Sequence, residues 1–359
     1  MPKIVLSGYF GFENAGDEAI LAAMIQALQQ KIPAVKLVVL SARPEVTSSR
    51  YGVRAVKRYD YRQIWSELKQ ADLFISGGGG LLQDVTSSRT IPYYLSLVAL
   101  ARFLKVKTMF YAQGIGPIKG RTGKALTAFF AGKVDLLTVR DQLSAKELIA
   151  LGVNEEKIVV TADPVLALEK ADNGQEILTK MGVKWEKPLL GVALRSWPCG
   201  VDYEEILLKV LKKQEAQVVL LPFHFPSDYE FLASFREKLG GDAVILDKPC
   251  SPAEYLAVTA ELDLVLGMRL HSLILAFRAA VPFIGLSYDP KVARFLTVAG
   301  GQPGLELSEL TEEKLLLLLA ETFDRRNEIA ADLKARGLNL EKQALATAER
   351  AAVLVGGTK

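Results

Sequence analysis

Two cysteines and two histidines in 359 residues leave little from which to build a disulfide framework or a metal centre. Cys199 and Cys250 stand far apart in sequence, a usage that fits a reducing cytoplasm and free, buried thiols better than cross-links. No zinc-ligand spacing occurs. Charge of one sign is also missing: the net charge is only +3, and without a Lys/Arg block nothing argues for nucleic acid as a partner. Long hydrophobic runs are absent too. The longest, Ile91 to Leu104, is too short to span a bilayer and carries Arg102. Leu315 to Ala320 is flanked by Glu312, Glu313, Lys314 and Glu321 and reads as a packed helix. Met1-Pro-Lys-Ile-Val-Leu-Ser7 runs into a first strand with no cleavable signal pattern. A cytoplasmic protein is expected, with any membrane contact peripheral and the basic segment Arg50 to Arg62 as its candidate surface.

What is present is alternation. Half of the residues are hydrophobic and about a quarter charged, and the length suits two domains that each bury a substantial core. Strand-like runs at Lys3–Ser7, Lys36–Ser41, Asp72–Ser76, Lys107–Ala112, Leu136–Val139 and Lys157–Thr161 are mostly separated by helical segments. A second series begins at Pro188–Leu194 and continues through Ala216–Phe223, Ala243–Leu246, Leu262–Leu266 and Phe283–Leu286. Such alternation predicts parallel sheets with helices on both faces, an α/β class. The polar stretch Glu169 to Glu176 is the linker candidate, giving domains 1–168 and 169–359, with the C-terminal helices free to pack back on the first. Gln70-Ala-Asp-Leu-Phe-Ile-Ser-Gly77 is echoed by Glu261-Leu-Asp-Leu-Val-Leu-Gly267. The echo predicts two similar Rossmann-like domains facing across a cleft.

Chemistry-bearing residues recur at predicted strand ends, where an open α/β sheet gathers ligands. Leu262 to Gly267 reads as strand and Leu270 to Ala280 as helix, so Arg269 and His271 sit at a strand-to-helix junction. There, helix N–H groups, a guanidinium fork and a group titrating near neutrality would suit an anion. Equally, Arg269 could pair with an acid and His271 cap a helix. Arg140 follows Leu136–Val139 beside Asp141, and a structural ion pair is again the alternative. Arg195 ends the first strand of the second series, His224 the second, and Lys291 follows Tyr288-Asp-Pro290 after the last.

Two glycine-rich segments complete the pattern. Gly8-Tyr-Phe-Gly-Phe-Glu-Asn-Ala-Gly-Asp-Glu18 has neither G-x-G-x-x-G spacing nor a Walker lysine. Its acids would repel phosphate from the helix start, which favours hydroxyl recognition of a sugar by Asn14 and Asp17 over a purely capping role. Ser76-Gly-Gly-Gly-Gly80 is costly to order. A close ligand or a close backbone therefore explains Gly78, Gly79 and Gly80 better than a bare turn.

Together, Gly8 to Leu21, Ser76 to Gly80, Gln113-Gly-Ile-Gly-Pro117, Val139-Arg-Asp141 and Gly267-Met-Arg-Leu-His-Ser272 resemble the polysaccharide pyruvyl transferases, especially their bacterial CsaB-like branch. The resemblance runs from the first strand to about Arg294. It implies the double-Rossmann, GT-B-like build of glycosyltransferases and transfer of pyruvate from phosphoenolpyruvate to a sugar as a 4,6-ketal. In that branch the acceptor is N-acetylmannosamine of a lipid-diphosphate-linked cell-wall polysaccharide precursor, and the pyruvylated sugar anchors S-layer proteins. By the same resemblance Arg140, Arg269, Leu270, His271 and Lys291 match donor-site positions. Phosphoenolpyruvate carries a carboxylate and a phosphate, so two arginines and a lysine can hold it without metal or cofactor. His271 is then the candidate acid and Asp17 the candidate base for a free or lipid-linked saccharide acceptor. Two other readings stand beside this one. A glycosyltransferase would need an acid to hold a nucleotide ribose, for which the Glu254 region is the only offer; a noncatalytic sugar-phosphate binding module would need no titrating group.

Overall fold

The structure, a computed structural model, describes residues 1–85 and 87–356. The last three residues of the expected second domain lie outside that range. By its contacts the chain divides into two units, one of residues 1–12, 17–168 and 340–359, the other of residues 13–16 and 169–339.

The first unit holds β1 (Lys3–Ser7), β2 (Lys36–Ser41), β3 (Arg54–Lys57), β4 (Leu73–Gly77), β5 (Lys107–Gln113), β6 (Leu136–Val139) and β7 (Ile158–Val160). They form one parallel sheet in the order β3-β2-β1-β4-β5-β6-β7. The second holds β8 (Leu189–Ala193), β9 (Gln217–Leu220), β10 (Val244–Ile245), β11 (Leu264–Gly267), β12 (Phe283–Ser287) and β13 (Gly304–Glu306). Its parallel order is β10-β9-β8-β11-β12-β13. Each sheet therefore repeats the doubly wound 3-2-1-4-5-6 order, and its strand order reverses beside its own first strand, at β1/β4 and at β8/β11. Central strands such as Ile4-Val5-Leu6 and Leu264-Val265-Leu266 are buried on both faces, as helices on either side of a parallel sheet require.

The sequence echo has a physical cause. Asp72 Oδ2 accepts from Lys3 N at 2.7 Å, and Asp263 Oδ2 accepts from Leu189 N at 2.8 Å. Each aspartate also donates its own N–H to the carbonyl of the same partner, Lys3 or Leu189. In both sheets an acid before the fourth strand thus satisfies the exposed start of the first.

Both strands that the pattern reading misses, β3 and β13, lie at sheet edges. Arg54-Ala-Val-Lys57 buries only Val56, and Gly304-Leu-Glu306 buries no residue, so neither shows an apolar run; short, charged edges of this kind discourage further strand pairing. The expected linker is partly helix, because Gly174–Met181 begins within it. The apolar stretch near Ile91 forms the helix Thr90–Phe103, with Ile91, Tyr94, Leu95, Leu97, Val98 and Ala101 buried. Leu315 and Leu319 are buried from the helix Glu312–Asp324. Among the described residues no helix is long and apolar enough to cross a membrane.

The basic segment Arg50 to Arg62 is partly open and partly tied down, with Arg54, Lys57 and Arg62 exposed. Arg54 pairs with Glu67 at 2.7 Å, Arg50 lies 3.7 Å from Glu18, and Arg58 is only 5% exposed. The last helix, Arg326–Gly356, counts with the first unit from Leu340 onward. There Glu349 pairs with Lys31 at 2.8 Å, and Lys107 Nζ donates to the Leu354 carbonyl at 2.8 Å. Cys199 and Cys250 are free and half-buried instead of fully buried; burial, then Glu254 and Asp247, push the Cys250 thiol up to about 11.

Candidate functional site

In the second unit, chemistry gathers at the carboxyl ends of β8, β11 and β12. Gly267 ends β11, and a side chain there would lie 2.8 Å from Leu273 Cδ2, so only glycine lets the next helix, Leu270–Arg278, start this close to its strand. Arg269 is the extended N-cap of that helix, and its carbonyl accepts from Ser272 N at 3.0 Å and Ser272 Oγ at 2.6 Å. Its guanidinium is turned to an acid: Nε donates to Asp228 Oδ2 at 2.8 Å and Nη2 to Asp228 Oδ1. Asp228 is 2% exposed and also accepts from Phe223 N at 3.2 Å. The fork expected to hold substrate is therefore held by a buried carboxylate.

His271 occupies the first turn of the same helix. Its ring lies on the backbone of Gly16, where a Cβ would stand 2.5 Å from His271 Cγ and 3.0 Å from its Cβ, with Nδ1 nearer still. Residues 13–16 belong to this unit through Ala15 N donating to the Phe223 carbonyl at 2.8 Å and an antiparallel bridge between Asn14 and His224. Asn14 Oδ1 accepts from Gly16 N at 3.1 Å, so the amide expected to meet a sugar fixes the seat of His271. Leu270 is buried. Lys291 is half exposed, 3.2 Å from Asp289, whose carboxylate also caps the helix Pro290–Val298. Arg195 follows β8 and has no acid partner among the described residues; Trp197 and Tyr288 pack their rings 5.1 and 5.4 Å from its Cζ.

In the first unit, Arg140 follows β6 and lies between Asp163 at 3.3 Å and Asp141 at 3.5 Å. Gly114 gives it room, since a Cβ there would be 2.9 Å from Arg140 Cζ and Nε. The glycine run after β4 is demanded by the fold only in part. Gly78 has a φ of +84°, and a side chain on it would strike Ile20 and lie 2.7 Å from Met24 Sδ. Gly79 is held through its carbonyl by Gly114 N at 2.9 Å and Gln113 Nε2 at 2.5 Å, with Asp17 Oδ1 3.5 Å from where its Cβ would be. Gly80 is exposed, and a Cβ there would meet nothing within 4 Å among the described residues. Asp84, closing the run, accepts from Lys119 N and Gly120 N, which hold its carboxyl below the usual range.

Arg58, just past β3, is the least expected member of this edge. Its guanidinium lies 4.5 to 6.0 Å from the rings of Tyr93, Phe12, Tyr59, Tyr94 and Tyr9. Nε and Nη1 are buried without a hydrogen bond among the described residues. Burial pushes the Tyr93 hydroxyl up to about 12 and the Tyr94 hydroxyl higher, so at neutral pH neither phenol supplies a countercharge. Asp17 is close enough to raise Tyr9 and Tyr94 further.

The family model for polysaccharide pyruvyl transferase matches residues 14–290. The chain belongs to this family. The matched span contains Asn14, Asp17, Gly78 to Gly80, Arg140, Arg269, Leu270 and His271, and ends one residue before Lys291. No curated protein matches the sequence. Among solved structures, a Rickettsia africae glycosyltransferase is 12% identical, with 100% of this chain and 99% of the other covered and a TM-score of 0.67. Neisseria meningitidis UDP-GlcNAc 2-epimerase bound to UDP-GlcNAc is 11% identical over 100% of both chains, with a TM-score of 0.66. The Anabaena protein HepE in complex with UDP-glucose is 12% identical over 100% of both, with a TM-score of 0.65. At such identities the likeness is one of fold, the α/β build of GT-B-like glycosyltransferases and epimerases.

Within this pyruvyl transferase family member, sequence reasoning passes over Gly16, Asp228 and Arg58 and names Arg195 only as a strand end. The signals are faint: Gly16 lies inside a loop read for its other residues, and Arg58 in a stretch read as basic surface.

Proposed function

We propose that the protein moves pyruvate from phosphoenolpyruvate onto a saccharide as a cyclic ketal and releases phosphate. The family match over residues 14–290 carries this reading, and the cations and His271 beyond the strand ends of the second sheet fit its chemistry. His271 protonates the enol C3, C2 becomes electrophilic, and one sugar hydroxyl adds to C2 while passing its proton to base. The C2–O bond to phosphate then breaks, the second hydroxyl adds, and its proton leaves with phosphate. His271 is the acid of the first step, and the proton that the first hydroxyl gives to the base returns to it through solvent before the next turnover. Lys291 balances substrate charge, Arg269 and Leu270 fix the helix start that aims His271, and Arg140 is an electrostatic support. Asp17, beside Gly79, is the acceptor base.

The acceptor in this reading is N-acetylmannosamine on a lipid diphosphate, ketalised at its 4- and 6-hydroxyls at the cytoplasmic face of a membrane, for a wall polymer that anchors S-layer proteins. Arg58 suits its diphosphate and the surrounding rings suit sugar faces, since a buried guanidinium without an acid calls for an anion. Gly80, exposed at the end of the run, leaves its backbone open to the same ligand. The nucleotide-sugar alternative loses its one acid: Glu254 closes a capping box with Ser251 and accepts from Asn173 Nδ2 at 3.0 Å.

Phosphate release from phosphoenolpyruvate, with and without an N-acetylmannosaminyl diphosphate lipid, tests the reading. Acceptor-dependent release with a pyruvylated product is expected, with kcat down by about 10³-fold in His271→Ala. Release that ignores the acceptor, or hydrolysis of a nucleotide sugar in its place, would overturn it. Arg58→Met is expected to raise the acceptor KM by about 10- to 100-fold while leaving the phosphoenolpyruvate KM unchanged; equal KM values for acceptor would remove Arg58 from the acceptor side.

A further inference from the structure

The arginines that the motifs single out are both committed to acids, Arg269 to Asp228 and Arg140 to Asp163 and Asp141. Arg195 is not. Among the described residues its one side-chain hydrogen bond goes from Nη1 to the hydroxyl of Tyr288 at 3.3 Å, and its Nε is buried with no partner. Trp197 and Tyr288, whose own rings are 4.6 Å apart, satisfy the apolar faces of the guanidinium and leave its N–H edge unmet.

Position gives this residue its meaning. Ala193 of β8 stands opposite Gly267 of β11, and Met268 N continues the ladder to the Ala193 carbonyl at 2.9 Å. Arg195 and Arg269 are therefore each two residues beyond a paired position, on the two strands that flank the reversal of strand order. Tyr288 follows β12, the next strand of the sheet, and leads directly to Asp289 and Lys291. The loop is set in advance: the Tyr203 hydroxyl donates to the Arg195 carbonyl at 3.0 Å and accepts from Trp197 N at 3.0 Å, and Tyr203 is itself buried. Counted along this edge, Asp228 answers Arg269 and Asp289 answers Lys291. Among the described residues of this edge, Arg195 is the cation left over.

We propose that Arg195 is the phosphate receptor of the second sheet: clamped by Trp197 and Tyr288, it takes the phosphate of phosphoenolpyruvate, while Arg269 is a positioning residue that acts through the helix carrying His271. This rests on the donor reading above. A guanidinium fork meets a phosphate with two parallel N–H···O bonds, and the clamp fixes its plane before substrate arrives. The phosphate of a nucleoside diphosphate would present the same chemistry, so the test must separate the two sources.

Titration calorimetry of the full-length protein with phosphoenolpyruvate, inorganic phosphate and UDP needs no turnover. Arg195→Gln is expected to weaken phosphoenolpyruvate and phosphate about 10- to 100-fold, to raise the phosphoenolpyruvate KM in parallel, and to leave the acceptor KM where it was. Arg195→Lys, which keeps the charge and loses the fork, is expected to fall between, and provides the test if the glutamine variant folds poorly. Unchanged phosphoenolpyruvate affinity in both variants would overturn the role of Arg195 and leave the donor reading standing. A wild type that binds UDP through Arg195 but not phosphoenolpyruvate would instead overturn the donor reading, and with it the ligand assigned to Arg195.

Discussion

Replacing Asp228 by alanine is expected to lower stability by about 3 kcal/mol, which for a unit of this size moves the melting midpoint down by roughly 6 to 12 °C. The residue removed is 2% exposed and holds Arg269 through two hydrogen bonds and Phe223 N through a third. Its loss strands a guanidinium whose side chain is only 15% exposed. Breaking one half of a buried pair costs more than the pair is worth, because the remaining charge stays desolvated. Partial access of water to Arg269 sets the effect at the lower end of the usual range. A double-mutant cycle decides the cause: adding Arg269→Met to Asp228→Ala should recover much of the loss, since no buried charge is then left alone. If the double variant melts no higher than Asp228→Ala, the damage comes from the Phe223 loop and not from the guanidinium. Turnover should fall in the single variant as well, because Arg269 caps the helix on which His271 sits.

The same pair shows where sequence reading stops. Strand ends were legible because parallel strands are continuous apolar runs and the chain must turn where they finish. Arg140, Arg195, Arg269 and His271 could be placed at carboxyl edges from local pattern alone. Asp141 beside Arg140 could be named as well, but the distant partners could not, for Asp228 is 41 positions from Arg269 and Asp163 is 23 from Arg140, and no periodicity connects them. Which arginine carries an unanswered charge is thus a tertiary fact. Arg58 makes the point most sharply: its neighbours in sequence, Arg54 and Lys57, suggest solvent, whereas rings from the loop after β1 and from the helix Thr90–Phe103 enclose it. The edge strands escaped for the opposite reason. At β3 and β13 one face or none is buried, so the apolar signal that reports a central strand is missing.

Gly16→Ala is expected to reduce kcat with phosphoenolpyruvate and acceptor by about 100-fold or more, approaching the loss caused by His271→Ala. Local rules predict the reverse. Gly16 is the second residue of the helix Ala15–Lys31 and does not have a positive φ, so alanine should favour the helix by up to about 1 kcal/mol. The obstacle is the imidazole. A Cβ would sit 2.5 Å from His271 Cγ and 3.0 Å from His271 Cβ, so turning the ring about its first torsion does not clear the clash, and the helix start itself must shift. A displacement near 1 Å is enough to spoil proton transfer, which depends on heavy atoms meeting within hydrogen-bond reach. Melting should change little, because the gain in helix propensity offsets part of the strain. Kinetics of the four-member cycle settle the matter. In the His271→Ala background the clash has no ring to strike, so Gly16→Ala should there cost almost nothing, and the two effects should be far from additive. Full turnover in Gly16→Ala would show that His271 does not work from the position in which Gly16 seats it. A loss of the same size with and without the imidazole would mean that the glycine serves the backbone alone.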